Sequence, residues 1–349
     1  MRKTPINRII IREFKRIKER KTLFLLEIIF PLVLFFFFAE IYKQEVIREL
    51  PVAIYDADNS SLSRKAIQFV ESSPTLKIAE YCNSIDEIKS LFKKGKIQGA
   101  FVLPHNFENE IKSGNNSSII VYKNSTNIIL SNYLLKESSL IIKTISGGIL
   151  LKKIKSTEVS DERAMAVINP ISIETASLYN PTYSYENYLM PGLATFTLQM
   201  LIMLAAVIVI SSEYTHHTFG SLAKMAEGKA YKILVGKSLP HLLIHFSSII
   251  LIVGIIFPLY NIAINGAAIT LILLMSCFIA ASFMMGLLIS ALINDQLLAT
   301  EIAVFINTPA FIFSGFTFPI WGMPFIHKIF AQILPFTHFL NAFLKVYQI

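Results

Sequence analysis

Cysteine is nearly absent. Cys82 and Cys277 are the two in 349 residues. One lies in a polar stretch and the other inside an apolar run, so neither a disulfide framework nor a zinc site is supported. Charge is sparse as well: Asp, Glu, Lys and Arg make up 16% of the chain, against about 25% in an ordinary soluble domain. A phosphate-binding loop of the Gly-x4-Gly-Lys-Ser kind is missing. Gly236-Lys237-Ser238 ends like one, but position 231 is Tyr and no strand precedes it. Nucleotide binding by this chain is therefore dismissed.

What is present is apolar. Hydrophobic residues make up 53%, Phe occurs 27 times, and the mean hydropathy is +0.55. One water-soluble core cannot hide that much apolar surface, which favours the membrane class. The net charge is +8, and its position matters more than its size. Residues 1–21 carry nine basic side chains (Arg2, Lys3, Arg8, Arg12, Lys15, Arg16, Lys18, Arg20, Lys21) against two Glu. Such an end stays in the cytoplasm against anionic lipid headgroups. A nucleic-acid arm is the alternative, and the adjoining apolar span argues against it. Within 5–20, Ile6, Ile9, Ile10, Phe14 and Ile17 fall at helical spacing, which predicts an amphipathic helix in the interface over 1–21.

Residues 22–42 read as the first span, kinked by Pro31, and 187–349 as the rest of a transmembrane bundle. No small-residue cleavage motif follows Phe35–Phe38, so the first span is expected to remain as an anchor. Tyr188–Ile210 is the second, Ser238 to about Tyr260 the third, Ala267–Ile293 the fourth and Leu297–Phe313 the fifth. Residues 212–237 between the second and third form a polar elbow with its own short helix. The elbow carries Lys224, Lys229, Lys232 and Lys237, whereas the turn 261–266 has no charge, which places the elbow inside. Residues 314–338 break repeatedly at Pro319, Pro324 and Pro335 and read as paired short helices dipping into the outer leaflet. Trp321 suits a headgroup boundary.

Residues 43–186 turn polar and follow α/β grammar. Strands are expected at 51–55, 76–79, 97–103 and 118–122, with helices at 61–73, 85–94, 107–112 and 127–155. Asn59 or Ser60 caps the first of these helices, and Ser84 with Glu87 forms a capping box on the second. The alternation predicts an open, parallel or mixed sheet in an extracytoplasmic domain inserted between spans 1 and 2. Asp56 and Asp58 follow the first strand, where α/β sheets often bind ligands; turn and cap chemistry is the plainer reading.

Four ionisable residues sit within or beside spans: Glu27, Glu301, His241 and His245. Glu27 is expected to reach the interface or pair with Arg20 or Lys21. His241 and His245 share a helix face at metal-ligand spacing, yet position 242 is Leu, so the glutamate of a zinc hydrolase is missing. Interfacial or pore-lining polarity is the expected role, with no metal.

Several stretches in order resemble the ABC type-2 export permeases: PVAIYDADNSSLS (51–63), GKIQGAFVLPHNF (95–107), YNPTYSYENYLMPG (179–192), the elbow EYTHHTFGS (213–221), GKSLP (236–240) and SGFTFPIWGMP (314–324). Two features differ from the family pattern. Thr218-Phe219-Gly220 stands where the family has Gly-Thr, and five spans are read where the family has six. The resemblance implies a membrane α-helical bundle with an inserted extracytoplasmic α/β domain. It implies a permease in the bacterial inner membrane, N-terminus cytoplasmic, pairing with a second permease subunit. It also implies a cytoplasmic ABC ATPase partner, which holds the ATP and Mg; this chain holds no cofactor. The elbow would then be a coupling helix, with Glu213, Thr218, Gly220 and Ser221 in the matching positions. A periplasmic adaptor and membrane lipids complete the expected partners, with no nucleic acid. The competing class is a membrane-anchored receptor or scaffold whose outer domain binds an envelope partner without transport. An embedded enzyme is disfavoured, because the ionisable residues lie near span ends and not at mid-membrane.

Overall fold

The computed structural model describes residues 4–42, 48–155, 185–260 and 268–348. The chain forms two compact units, Met1–Glu45 with Ser177–Ile349, and Val46–Ala176.

In the first unit, Thr4 caps the N-terminal helix Pro5–Glu19 by accepting from the Asn7 amide, and Pro5 fills a position that needs no N–H. The face it buries is Ile9, Glu13 and Ile17, one helical turn apart. Phe14 lies 41% exposed, so the apolar stripe expected through Phe14 is rotated and a carboxylate takes its centre.

Among the described residues, five helices are long and apolar enough to cross a membrane: Lys21–Ile41, Gly192–Thr215, Ala230–Leu259, Ala268–Leu292 and Gln296–Phe313. The second is central, packing on the first, fourth and fifth. Large apolar side chains such as Phe35, Ile202, Phe278 and Phe283 fill most of these contacts, and a few small and polar residues set how closely the helices approach. A side chain at Gly286 would meet the Met203 carbonyl oxygen at 2.8 Å, so only glycine lets spans two and four approach this closely. Four residues on, the Ser290 hydroxyl accepts from the Ile210 and Ser211 amides, each at 2.9 Å, and donates to the Val207 carbonyl. Gln199 Nε2 donates to Asn307 Oδ1 at 2.6 Å, tying spans two and five.

Two prolines are handled alike. Leu25–Ile29, ahead of Pro31, and Ile252–Ile256, ahead of Pro258, are wide turns in which Phe30 donates to the Leu25 carbonyl and Phe257 to the Ile252 carbonyl. A proline offers no N–H to the residue four back and its ring crowds that carbonyl. One widened turn makes the room. The kink expected at Pro31 is thus absorbed in a turn that contains Glu27.

Three sequence expectations change here. The second span's helix continues to Thr215 and the third begins at Ala230, so the elbow is shorter than 212–237 and Glu213 belongs to the last turn of a span. The only helix within it is Phe219–Met225. The break expected at Pro335 falls at Leu334, which is extended between helix Phe325–Ile333 and the next helix, but residues 336–338 are helical. Pro335 opens a helix, Pro335–Gln348, because the first position of a helix needs no N–H. Phe336, Phe339 and Phe343 of that helix are buried, and Phe339 stacks on Phe278 of the fourth span at 4.2 Å. At 14 residues it is short of the roughly 20 needed to cross a bilayer. Ahead of it, residues 314–324 hold one short turn of helix, Ile320–Gly322, followed by helix Phe325–Ile333. The uncharged turn expected at 261–266 lies outside the described residues.

The second unit is a four-stranded sheet in the order β2-β1-β3-β4, with β1 Leu50–Asp56, β2 Leu76–Tyr81, β3 Gly99–Leu103 and β4 Ile120–Lys123. The first three are parallel and β4 is antiparallel to β3. From β1 the chain steps outward to β2, then back across β1 to β3. Right-handed crossovers in opposite directions put their helices on opposite faces. Helices Ser61–Glu71 and Ile128–Lys155 cover Val52, Ile54, Phe101 and Leu103. Helix Ile85–Lys93 covers Ala53, Ala100 and Val102. The two-residue alternation along each strand supplies both faces. Asp56 and Asp58 are structural, as the plainer reading held. Asp56 accepts from the Asp58 and Asn59 amides and the Ser63 hydroxyl, and Asp58 accepts from the Glu108 amide.

Candidate functional site

Where the N-terminal helix meets the ends of spans one, two and three, seven charged or ionisable side chains interlock. Glu213 is fully buried. Arg12 grips its carboxylate with two parallel donors at 2.9 and 2.8 Å. Arg16 Nη1 donates at 2.7 Å and Lys237 Nζ at 2.6 Å, and the Thr218 hydroxyl donates to Oε2. Arg16 also donates to the Ser212 hydroxyl. Such fork geometry is what a planar guanidinium offers and a lysine cannot.

A second carboxylate, Glu13, joins this group to a third. Lys237 Nζ lies 3.0 Å from Glu13 Oε2, and Arg16 Nη1 lies 3.4 Å from Oε1. His241 Nε2 is 3.3 Å from Glu13 Oε1, and its Nδ1 meets Glu27 Oε1. Both ring nitrogens therefore face carboxyl oxygens. The two contacts need two protons on the ring, or one on the ring and one on a carboxyl. Burial opposes ionisation of Glu13, but the His241 contact, Lys237 and Arg16 outweigh it and hold the carboxyl at about 2. Burial also works against charge on Arg12, and Glu213 more than offsets it.

Local structure explains how these groups meet. Arg12 and Arg16 are four apart on one helix, and Lys237 and His241 are four apart on another. The two helices touch where Ile9 packs on Gly236; a side chain there would meet Ile9 at 2.7 Å. The wide turn before Pro31 contains Glu27. After Thr215 the chain reverses through His217, at φ 56°, and the Thr218 amide donates to the Glu213 carbonyl at 2.8 Å. The elbow helix then lays Leu222 and Ala226 against Ile9 and Ile233. Tyr214 stacks on Phe219 at 4.3 Å. Gly220, Ser221 and Lys224 remain exposed on its outer side.

Of the residues singled out in the sequence, Glu213, Thr218, Glu27 and His241 come together here. Glu27 pairs with His241 and with neither Arg20 nor Lys21, because the wide turn faces it toward the third span. His245 lies one turn beyond His241, fully buried, and neither ring nitrogen has a hydrogen-bond partner among the described residues. Glu301 is exposed on the fifth span and is not part of the group. Among the described residues no three His, Cys, Asp or Glu side chains are grouped to hold a metal. The sequence reading missed Arg12, Glu13, Arg16 and Lys237. It assigned the two arginines to lipid headgroups and Lys237 to the inner loop; instead they turn into the protein. One signal was available: Glu13 interrupts the basic run at the same helical spacing as Ile9 and Ile17.

The profile of the ABC-2 family transporter proteins matches residues 21–348. The chain is 21% identical over 335 residues to the probable multidrug ABC transporter permease YbhS of Escherichia coli K12, covering 95% of this chain and 85% of that protein. It is 22% identical over 334 residues to the probable multidrug ABC transporter permease YbhR of the same organism, covering 94% and 85%. ABC transporter G family member 20 of Dictyostelium discoideum is 27% identical over 269 residues, covering 74% of this chain and 34% of that protein. With nearly its whole length matched, from the first span through the last helix, the chain belongs to the ABC-2 transporter family.

Proposed function

We propose that this chain is the transmembrane permease subunit of an ATP-driven exporter, and that the interlocked charge cluster transmits the motion of a cytoplasmic ABC ATPase to the spans. The observation that carries this reading is Glu213. One buried carboxylate binds the N-terminal helix through Arg12 and Arg16, the third span through Lys237 and the start of the elbow helix through Thr218. A push on the exposed Gly220–Ser221 side of the elbow then moves three elements as one body. Two copies, or this chain and a paralogue, form the pathway between them. The N-terminus and elbow face the cytoplasm of a bacterial inner membrane, and the α/β unit lies outside, where an adaptor can meet it. Both E. coli relatives are named multidrug permeases, which supports an amphiphilic or drug-like substrate here.

The test is reconstitution in liposomes with its ABC ATPase. Expected is substrate efflux that needs ATP, with Glu213→Ala retaining ATPase binding but losing at least about tenfold in efflux per ATP hydrolysed. Efflux unchanged by Glu213→Ala, or a chain that never associates with an ATPase, rejects the reading.

A further inference from the structure

A groove in the α/β unit lies outside everything described so far. Three helices wall it, Ser61–Glu71, Phe107–Lys112 and Ile128–Lys155, and its volume is about 780 Å³. Sites for small organic molecules run from about 300 to 1,000 Å³. Its lining has two chemistries. Leu62, Phe69, Ile111, Ile145 and Ile149 supply an apolar floor. Gly148 keeps part of that floor open, since a side chain added there would meet nothing within 4 Å.

The polar lining is basic. Lys65, Lys112 and Lys152 all border the groove. Glu108, its one carboxylate, is already occupied: Lys112 lies 2.9 Å away and the Ser61 hydroxyl donates to it at 2.8 Å. Lys65 and Lys152 make no ion pair among the described residues, so the groove carries unmatched positive charge beside an apolar floor. From Ile145 to Lys152 the helix advances about 10 Å, enough to lie along a medium acyl chain. Phe69 is 41% exposed at its edge.

We propose that this groove binds an anionic amphiphile, a molecule with one acidic headgroup and one apolar chain, the headgroup against Lys65 and Lys152 and the chain along Ile145–Ile149. Charge complementarity selects this occupant. A neutral oil leaves two lysines unmatched at the mouth, and a hydrophilic anion leaves the apolar floor wet. The proposal does not depend on transport, because it concerns binding alone.

The test uses the full chain in phosphatidylcholine nanodiscs and two photoprobes, dodecanoate with a mid-chain diazirine and its methyl ester. Expected is labelling by the acid of peptides covering 61–69, 107–112 and 144–152, with the ester labelling them about tenfold less. Lys65→Glu with Lys152→Glu lowers acid labelling of the groove about tenfold. Gly148→Trp abolishes it by filling the floor, and labelling of the spans stays constant as the internal standard. Labelling confined to the spans, equal labelling by acid and ester, or indifference to all three substitutions overturns the proposal.

Discussion

The two units use the same acid–base chemistry to opposite effect. In the α/β unit, Lys77 pairs with Glu49 and Lys89 with Asp86, and all four side chains stay more than half exposed. In the membrane unit, Lys237 pairs with Glu213 and Glu13, and all three are fully buried. Water screens the first kind, and either partner can leave at little cost. The second kind has no water to fall back on. Each charge there is tolerable only while the others remain, so the cluster behaves as one object. The difference teaches where mechanical linkage can be stored. Surface pairs decorate an element, whereas buried ones weld several elements together.

That contrast can be broken at its centre. Glu213→Ala removes the common acceptor: it strands Arg12 and leaves Arg16 and Lys237 to share Glu13 alone. Breaking a buried pair costs about 3–5 kcal/mol, and limited proteolysis is expected to cut the N-terminal helix first. A Glu213→Ala protein with wild-type protease resistance rejects the weld. Acid acts next. The Glu13 carboxyl is held at about 2 against an ordinary 4.5. A depressed carboxylate stabilises the fold above its unfolded value and loses that contribution as pH falls through the folded one. The N-terminal helix is therefore expected to loosen between pH 4.5 and 2, a span worth about 3 kcal/mol. Proteolysis across that range should follow this curve, and Glu13→Gln should flatten it.

Packing supports the charges and offers a gentler break. Gly236→Ala sets a methyl group against Ile9, and overpacking of this kind costs about 1–3 kcal/mol. Thermal unfolding should drop for Gly236→Ala and recover in part when Ile9→Ala is added. Recovery distinguishes a steric clash from a change in helix propensity. At the small end, Lys89→Ala in the α/β unit should leave the melting temperature unchanged within error, since exposed pairs contribute little. A clear drop there would erase the comparison.

Much was legible before the fold. Ser60 and Ser84 cap the helices assigned to them, accepting from the Ser63 and Glu87 amides. Both caps act within four residues, so local chemistry decides them. The Glu87 side chain accepts from the Asn83 amide, one residue before the expected partner. The apolar runs announced the spans through length and lack of charge alone. Pro335 marks the end of one helix, as its chemistry predicts, and also opens the next, because a first helical position needs no N–H. That second helix depends on Phe336, Phe339 and Phe343 having a surface to pack on.

The candidacy of Glu213 rested on the family resemblance alone. By itself, the amino-acid order determined the membrane class, the number of apolar spans and the strand and helix order of the α/β unit. These follow from hydropathy, periodicity and caps, which act over a few residues. Only the tertiary structure decided that Glu13, Arg12, Arg16 and Lys237 turn inward to meet Glu213, and that Glu27 finds His241. Helical spacing says which residues share a face. Which face turns inward depends on a partner two hundred residues away, and on a glycine at 236 that lets the two helices touch.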